Sequence, residues 1–300
     1  MAAADSRPEL VPGLKRANGK AFDPAMRRRI DVNEAGEFIM DRMDGSVPVS
    51  KIAADVADRF GISEKVALSD TVAFVDSLRG NSIVNLRYPA GYCARMVLGL
   101  VFGLDAASLR DCRAVLLARQ RIDIHGSSLA RIVTQVGLRL YSRHLWLAAY
   151  LTLLCGGFVY VLLGELVYAF LIPACVSCVS LLGMSLHEGA HLYALRRCSG
   201  DERLGYLRLS PFELGIGYPR VRPDVGFRVA LAGPLLPTAC GAALYLVNAF
   251  RPDPFLAMAA LLLVAHVLSF LPVFGSDGRN LLSYASDPRE DRATGRGGGT

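Results

Sequence analysis

The feature that most constrains this chain is a pair of histidines inside an apolar run, in the segment Leu186-His187-Glu188-Gly189-Ala190-His191-Leu192. On a helix, His187 and His191 lie one turn apart on the same face, so both imidazoles can reach one zinc ion, Zn2+. Glu188 lies beside them and is placed to accept a proton from water at that ion. Because polar groups are costly in a membrane segment, this pattern predicts a functional metal site.

The distribution of charge predicts a membrane protein with a soluble N-terminal part. Hydrophobic residues make up 52% of the 300 residues and the mean hydropathy is +0.34, which is high for a soluble chain. Charges are frequent in the first ninety residues, whereas long runs between residues 145 and 284 carry almost none. The first thirty residues lack the apolar core of a signal peptide, so we expect the N-terminal part to stay in the cytosol.

Four spans are predicted, at 145–164, 166–195, 229–250 and 255–275, and the first has the ~20 residues needed to cross a bilayer. The second would be ~45 Å long as one helix, so it must tilt, break near Pro173 or project from the membrane. The predicted fold class is therefore mainly α, a polytopic membrane helical bundle with about four spans.

Arginine placement sets the predicted orientation. Arginines precede the first span and fill the loop after the second, namely Arg131, Arg139, Arg143, Arg196, Arg197, Arg203, Arg208, Arg220 and Arg222. The other two turns hold only Arg251. By the positive-inside rule, both termini face the cytoplasm of a multi-pass protein, in a bacterial inner or cell membrane, with the metal near the cytosolic face. The net charge of +6 follows this orientation and forms no single basic stripe, so nucleic acid is not an expected partner.

A catalytic zinc site needs a third protein ligand besides the two histidines. Asp277 follows Pro272 and Gly275, which can break the last span and present a carboxylate at the depth of the histidines. His266 is the alternative, about two helical turns deeper in the membrane. The other interpretation of His266 is a hydrogen-bonded histidine within the bundle.

The second half of the chain resembles the site-2 protease family of intramembrane zinc metalloproteases, over roughly residues 145–285. The motifs that carry the resemblance are His187-Glu188-Gly189-Ala190-His191, Leu231-Ala-Gly-Pro234 and Pro272 through Asp277-Gly278. The resemblance implies zinc held by the two histidines and Asp277, with Glu188 as the base. Pro237 replaces an asparagine that is usual in the family, and the asparagine usual before the Asp-Gly motif is not evident at 268–271. These departures concern substrate contacts, not metal binding.

The N-terminal part has the pattern of a small winged-helix domain. Helical spacing at 33–44, 49–60 and 64–78 is followed by a short strand at 82–86. Residues 28–88 resemble the PqqD-like domains that recognise leader peptides in ribosomal peptide-modification pathways. The resemblance is carried by Gly36-Glu-Phe-Ile-Met40, Met43-Asp-Gly45, Ile52-Ala-Ala-Asp55 and the segment 74–84. The alternative is an unrelated winged helix or a regulatory cap.

The remaining segments are predicted as connections. Residues 1–27 are expected to form a flexible N-terminus, 89–144 a helical linker and 286–300 a flexible tail.

The predicted cytosolic loop contains a hairpin. Alternation at Tyr206-Leu-Arg-Leu209 and Phe212-Glu-Leu214 is typical of strands, with a turn at Ser210-Pro211. We predict that the hairpin lies near the metal-binding helix and that its open edge pairs with a substrate strand, through the backbone at Leu209 and Leu214. The alternative is an ordinary surface hairpin.

These observations predict a membrane-embedded zinc endopeptidase that cleaves a ribosomally made precursor peptide captured through its leader. One alternative is a regulatory intramembrane protease that releases a membrane-bound factor. Another is a non-proteolytic membrane protein that binds a peptide as an adaptor or confers immunity. The expected partners are a peptide or membrane-protein substrate and the lipid bilayer, and the sequence sets no oligomeric state.

Reporter fusions test the predicted orientation. Fusions at Glu165 and Pro252 should report the outside of the cell, and fusions at Asp201 and Arg289 should report the cytoplasm, because the arginines concentrate beside the latter sites. A cytoplasmic signal from the Glu165 fusion would require the first two spans to be a re-entrant pair or one broken helix.

Overall fold

The computed structural model describes residues 4–88, 120–210, 214–273 and 276–286. The chain is mainly helical and divides into two compact units. The first unit takes in Met1–Asp123 and Leu204–Pro219, and the second takes in Ile124–Arg203 and Arg220–Thr300. The first unit is therefore built from two separated parts of the chain.

The described residues of the first unit form three helices and several short strands. In chain order they are β1 (Arg7–Leu10), β2 (Lys15–Ala17), β3 (Lys20–Asp23), β4 (Arg28–Asp31), α1 (Glu34–Met40), α2 (Val49–Phe60), α3 (Glu64–Gly80), β5 (Val84–Arg87), β6 (Gln120–Ile122), β7 (Tyr206–Leu209) and β8 (Leu214–Gly217). The strands form three antiparallel sheets with the orders β1-β5, β2-β3-β4 and β6-β7-β8.

The three predicted helices of the N-terminal domain are confirmed, and local chemistry explains their limits. The side chain of Asn33 accepts a hydrogen bond from the amide of Gly36 at the start of α1, and Ser63 does the same for Val66 in α3. Gly61 ends α2 in the left-handed conformation, with φ 66°. The buried apolar faces of these helices meet in one core that includes Ile52.

The prediction of a flexible N-terminus at 1–27 is wrong, because β1, β2 and β3 lie within it. Ala17 pairs with Lys20 across the turn Asn18-Gly19, in which φ is 50° and 70°. Positive φ at both residues is typical of the two-residue hairpin turn that Asn-Gly favours. The strands of this hairpin have few apolar residues, which explains why their pattern gave no strand prediction.

A buried ion pair attaches β6 to the N-terminal strands. The Arg121 guanidinium, 2% exposed, donates to both carboxylate oxygens of Asp23 at 2.6 and 3.0 Å and to Asp123 at 2.8 Å. Burial alone would lower the pKa of Arg121, but the hydrogen bonds with Asp23 and Asp123 outweigh it and raise that pKa. The Asn85 side chain also bonds to the amide and the carbonyl of Arg121. Removing one partner of such a pair typically costs about 3–5 kcal/mol.

The predicted hairpin at 206–214 is present and belongs to the first unit. Strand β7 pairs with β6 on one side and with β8 on the other. The Tyr206 ring lies under the Arg121 guanidinium, 4.5 Å from ring centroid to the central carbon. The hairpin is therefore held by the same buried arginine that binds β3.

The second unit is helical in all its described elements. They are α4 (Leu129–Leu163), α5 (Leu166–Ser199), α6 (Pro223–Phe250), α7 (Pro254–Val264), a 3-10 segment (Ala265–Phe270) and α8 (Ser276–Ser286). Gly164, with φ 72°, ends α4 and allows α5 to begin two residues later.

Two described helices, α5 and α6, are long and apolar enough to cross a membrane. Helix α5 continues through Pro173, so a break there, one of the three alternatives, does not occur, and its 34 residues are about 51 Å long. In the segment predicted as a fourth span, 255–275, the described residues form the 11-residue α7, the 3-10 segment and an extended Leu271. The predicted linker at 89–144 and the tail at 286–300 lie largely outside the described residues.

Candidate metal centre

Three buried ligand side chains from two helices of the second unit meet at one point. His187 and His191 lie one turn apart on α5, and Asp277 lies in the first turn of α8. Their residues are 6%, 5% and 8% exposed. The His187 Nε2 lies 2.9 Å from Asp277 Oδ2 and 3.2 Å from His191 Nε2, and the His191 Nε2 lies 3.3 Å from Asp277 Oδ1. This group could hold a metal ion.

The distances between these donor atoms fit zinc. Two nitrogen or oxygen atoms bound to zinc at about 2.05 Å, with a tetrahedral angle between them, lie about 3.3 Å apart. The three observed separations of 2.9, 3.2 and 3.3 Å are close to that value. Two imidazoles and one carboxylate are also the ligand types and the number found in catalytic zinc sites.

The backbone of α6 orients the second histidine. The Nδ1–H of His191 donates to the carbonyl oxygen of Val229 at 2.6 Å, which leaves Nε2 to face Asp277 and His187. One turn further along α6, Gly233 lies against the same imidazole, where a Cβ atom would overlap the ring. The Ala-Gly-Pro segment of α6 therefore supplies the space in which His191 sits.

A close backbone approach positions the carboxylate. Gly278 packs against the carbonyl of Phe270, so any side chain at residue 278 would overlap the end of the 3-10 segment. This contact brings the first turn of α8 next to the point where the preceding helix ends, and it carries Asp277 with it. In the Asp-Gly pair, the ligand Asp277 is thus followed directly by the glycine whose close contact sets the position of the carboxylate.

Glu188 is buried beside the group, and its carboxylate interacts electrostatically with His191. His266 lies outside the group of three, with its Nδ1 3.3 Å from the Nδ1 of His187. The structure therefore groups Asp277, and not His266, with the two histidines.

The two predicted substrate-binding residues lie on different strands. Leu209 is in β7, the central strand of its sheet, so its backbone faces β6 and β8 and offers no open edge. Its predicted role in pairing with a substrate is therefore wrong. Leu214 is in β8, which pairs on one side only among the described strands. Residues 212–213 of the predicted second strand lie outside the described residues.

Sequence reasoning included Gly233 in a resembling motif without assigning it a contact, and it missed the Val229 carbonyl and the contact of His266 with His187. The signal available for Gly233 was a Gly-Pro pair inside an apolar helix, which is typical of close packing or a functional contact. No local pattern marks the other two, because these contacts join distant segments. His191 and Val229 are 38 residues apart, and His187 and His266 are 79 residues apart.

Residues 22–84 match the protein family described as coenzyme PQQ synthesis protein D (PqqD). This match supports the PqqD-like prediction for the N-terminal domain. No curated protein and no solved structure matches the chain. The resemblance of the second half to site-2 proteases stays a prediction.

Substituting Gly233 tests the packing around the metal centre. Gly233→Ala should lower zinc affinity about 10–100-fold, because the new methyl group displaces a ligand ring. Competition of the purified protein with a chelating dye measures this. Gly157→Ala, at a helical glycine with open space around it, is the matched control and should keep wild-type affinity. Equal affinity of both variants would contradict the proposed packing.

Proposed function

We propose that the protein is a membrane-embedded zinc endopeptidase that cleaves a ribosomally made precursor peptide captured through its leader. The observation that carries the proposal is the buried group of His187, His191 and Asp277, with Glu188 beside it. Both histidines and Glu188 lie on a long apolar helix. A structural metal site needs ligands but no general base. The buried carboxylate of Glu188 therefore favours hydrolysis.

His187, His191 and Asp277 would hold zinc, whose chemistry in such sites is to polarise a carbonyl group and to acidify water. The carboxylate of Glu188 accepts the proton of the attacking water and then delivers it to the nitrogen of the leaving amine. The Val229 carbonyl keeps the His191 Nε2 turned toward the other ligands throughout. Burial of the group limits the access of bulk water to the cleavage point.

The resemblance to site-2 proteases supports this assignment. Each of the three resembling segments contributes to the centre: the helix with both histidines, the Ala-Gly-Pro segment against His191, and the Asp-Gly pair that carries Asp277. The proposed membrane arrangement has four spans and cytoplasmic termini. Large apolar side chains on α4, such as Leu153, Phe158 and Val161, are exposed, as a lipid-facing surface requires.

The PqqD match supports a peptide-binding role for the N-terminal domain in precursor maturation. A mainly apolar groove of about 540 Å3 runs along α3 in this domain. It is lined by Lys65, Leu68, Ser69, Val72, Ala73 and Asp76. We assign this groove to the leader, since apolar side chains at helical spacing on α3 and a charge of each sign suit an amphipathic peptide segment.

The open edge of β8, including Leu214, is the proposed guide for the segment to be cleaved. This strand belongs to the same compact unit as the α3 groove. A leader bound in the groove raises the effective concentration of the attached cleavage segment. Capture of the leader and presentation of the cleavage segment are thus assigned to one unit.

Separating metal binding from hydrolysis tests the enzymatic proposal. Glu188→Gln should keep about one zinc per chain and lose cleavage of quenched fluorescent peptides, because the amide cannot accept the proton. His187→Ala, His191→Ala and Asp277→Ala should each lose most of the metal, measured by elemental analysis. Normal turnover by the Glu188→Gln protein would refute the mechanism. Zinc-loaded wild-type protein that binds peptide without cleaving it would favour the adaptor function.

Filling the α3 groove tests leader capture. Ala73→Tyr, at an exposed position lining the groove, should raise KM about 10-fold for a precursor peptide that carries its leader, a loss of about 1.4 kcal/mol of binding. Cleavage of the same peptide without its leader should not change. Ser77→Tyr, one turn further along α3, exposed and outside the groove lining, is the control. Equal effects of both variants, or no effect of Ala73→Tyr, would remove the groove from the proposal.

A further inference from the structure

The two ring nitrogens of His187 face different partners. Its Nε2 faces the ligand group, 2.9 Å from Asp277 Oδ2 and 3.2 Å from His191 Nε2. Its Nδ1 faces His266, whose own Nδ1 lies 3.3 Å away. The imidazole of His187 is therefore bounded on both sides by polar groups of the second unit.

The proton between the rings of His187 and His266 belongs to the Nδ1 atom of His187. A neutral imidazole that offers Nε2 to a metal carries its proton on Nδ1. The Nδ1–H of His187 then donates to the Nδ1 lone pair of His266. His191 has the equivalent arrangement, since its Nδ1–H donates to the Val229 carbonyl. Each histidine of the group thus has its own acceptor.

The packing of α5 makes room for this contact. Gly183 lies one turn before His187, and a Cβ atom there would press on the Nε2 edge of His266. The rings of His187 and His266 lie 5.3 Å apart between centroids, at an interplanar angle of 40°. His266 itself is in the 3-10 segment, half-buried, and its neighbour Val267 is exposed.

We propose that His266 is a positioning residue that fixes the tautomer and the ring orientation of His187, so that Nε2 faces the metal. The inference rests on the metal role in the proposed function. It assigns His266 neither to the ligand set nor to the reaction. Acceptors of this kind typically change metal affinity 10–100-fold when they are lost, because the ligand ring is then free to rotate or to change tautomer.

The test uses the purified full-length protein in detergent, with zinc or cobalt alone and no peptide. His266→Phe keeps a planar ring but removes the acceptor, and it should weaken zinc binding about 10–100-fold and shift the visible absorption of the cobalt-loaded protein. His266→Asn puts an amide oxygen near the position of Nδ1. It should hold zinc affinity within about threefold of wild type, under 1 kcal/mol, and restore the cobalt spectrum. Val267→Ala, on the same segment, is the control and should change neither readout.

Three outcomes would overturn the proposal. Wild-type affinity and spectrum in His266→Phe would leave no positioning role. Equal losses in the Phe and Asn variants would indicate packing and not an acceptor. Loss of stoichiometric metal in both would make His266 a ligand. Should His266→Phe fail to fold, His266→Ala replaces it as the variant without an acceptor and is compared with His266→Asn in the same way. Because no hydrolysis is measured, failure here leaves the endopeptidase proposal untouched, and an inactive protein leaves this test valid.

Discussion

The second unit depends on one requirement: three polar side chains must meet inside an apolar set of helices. Burying an imidazole or a carboxylate without partners is costly, so every such group needs a neighbour that satisfies it. His187, His191 and Asp277 partly satisfy one another, and the Val229 carbonyl and His266 take up the outward nitrogens of the two rings. The helices must therefore approach closely enough for these contacts to form.

Glycines make that approach possible at each contact. Gly233 lies against His191, Gly183 against His266, and Gly278 against the carbonyl of Phe270, and Gly189, inside the histidine motif, packs on Val133 of α4. In the proposed membrane location, lipid would compete with apolar side chains for the same surfaces, so the helices would associate through small residues and hydrogen bonds more than through hydrophobic burial. The glycines beside the ligands are thus part of the centre, and their loss would separate the donor atoms without removing one.

Local patterns predicted what local geometry determines. Four-residue spacing alone places His187 and His191 together. The predicted depth of each residue in the membrane was enough to favour Asp277 over His266 as the third member of the group. The pairing of distant segments gave no such signal. Asp23 and Arg121 are 98 residues apart, and the strands they join are only three or four residues long, too short for a periodicity. For the same reason the strand β6, which closes one side of Leu209, was not predicted.

The connectivity of the two units bears on how a peptide could be processed. The chain leaves the first unit after Asp123, passes through α4 and α5 with both histidines, and returns at Leu204 to form β7 and β8 before leaving again after Pro219. The Arg121–Asp23 pair and the Tyr206 ring then hold that returning hairpin on the N-terminal strands. In the proposed enzyme, the buried arginine thereby keeps the hairpin that guides the cleaved segment within the same unit as the helix assigned to the leader.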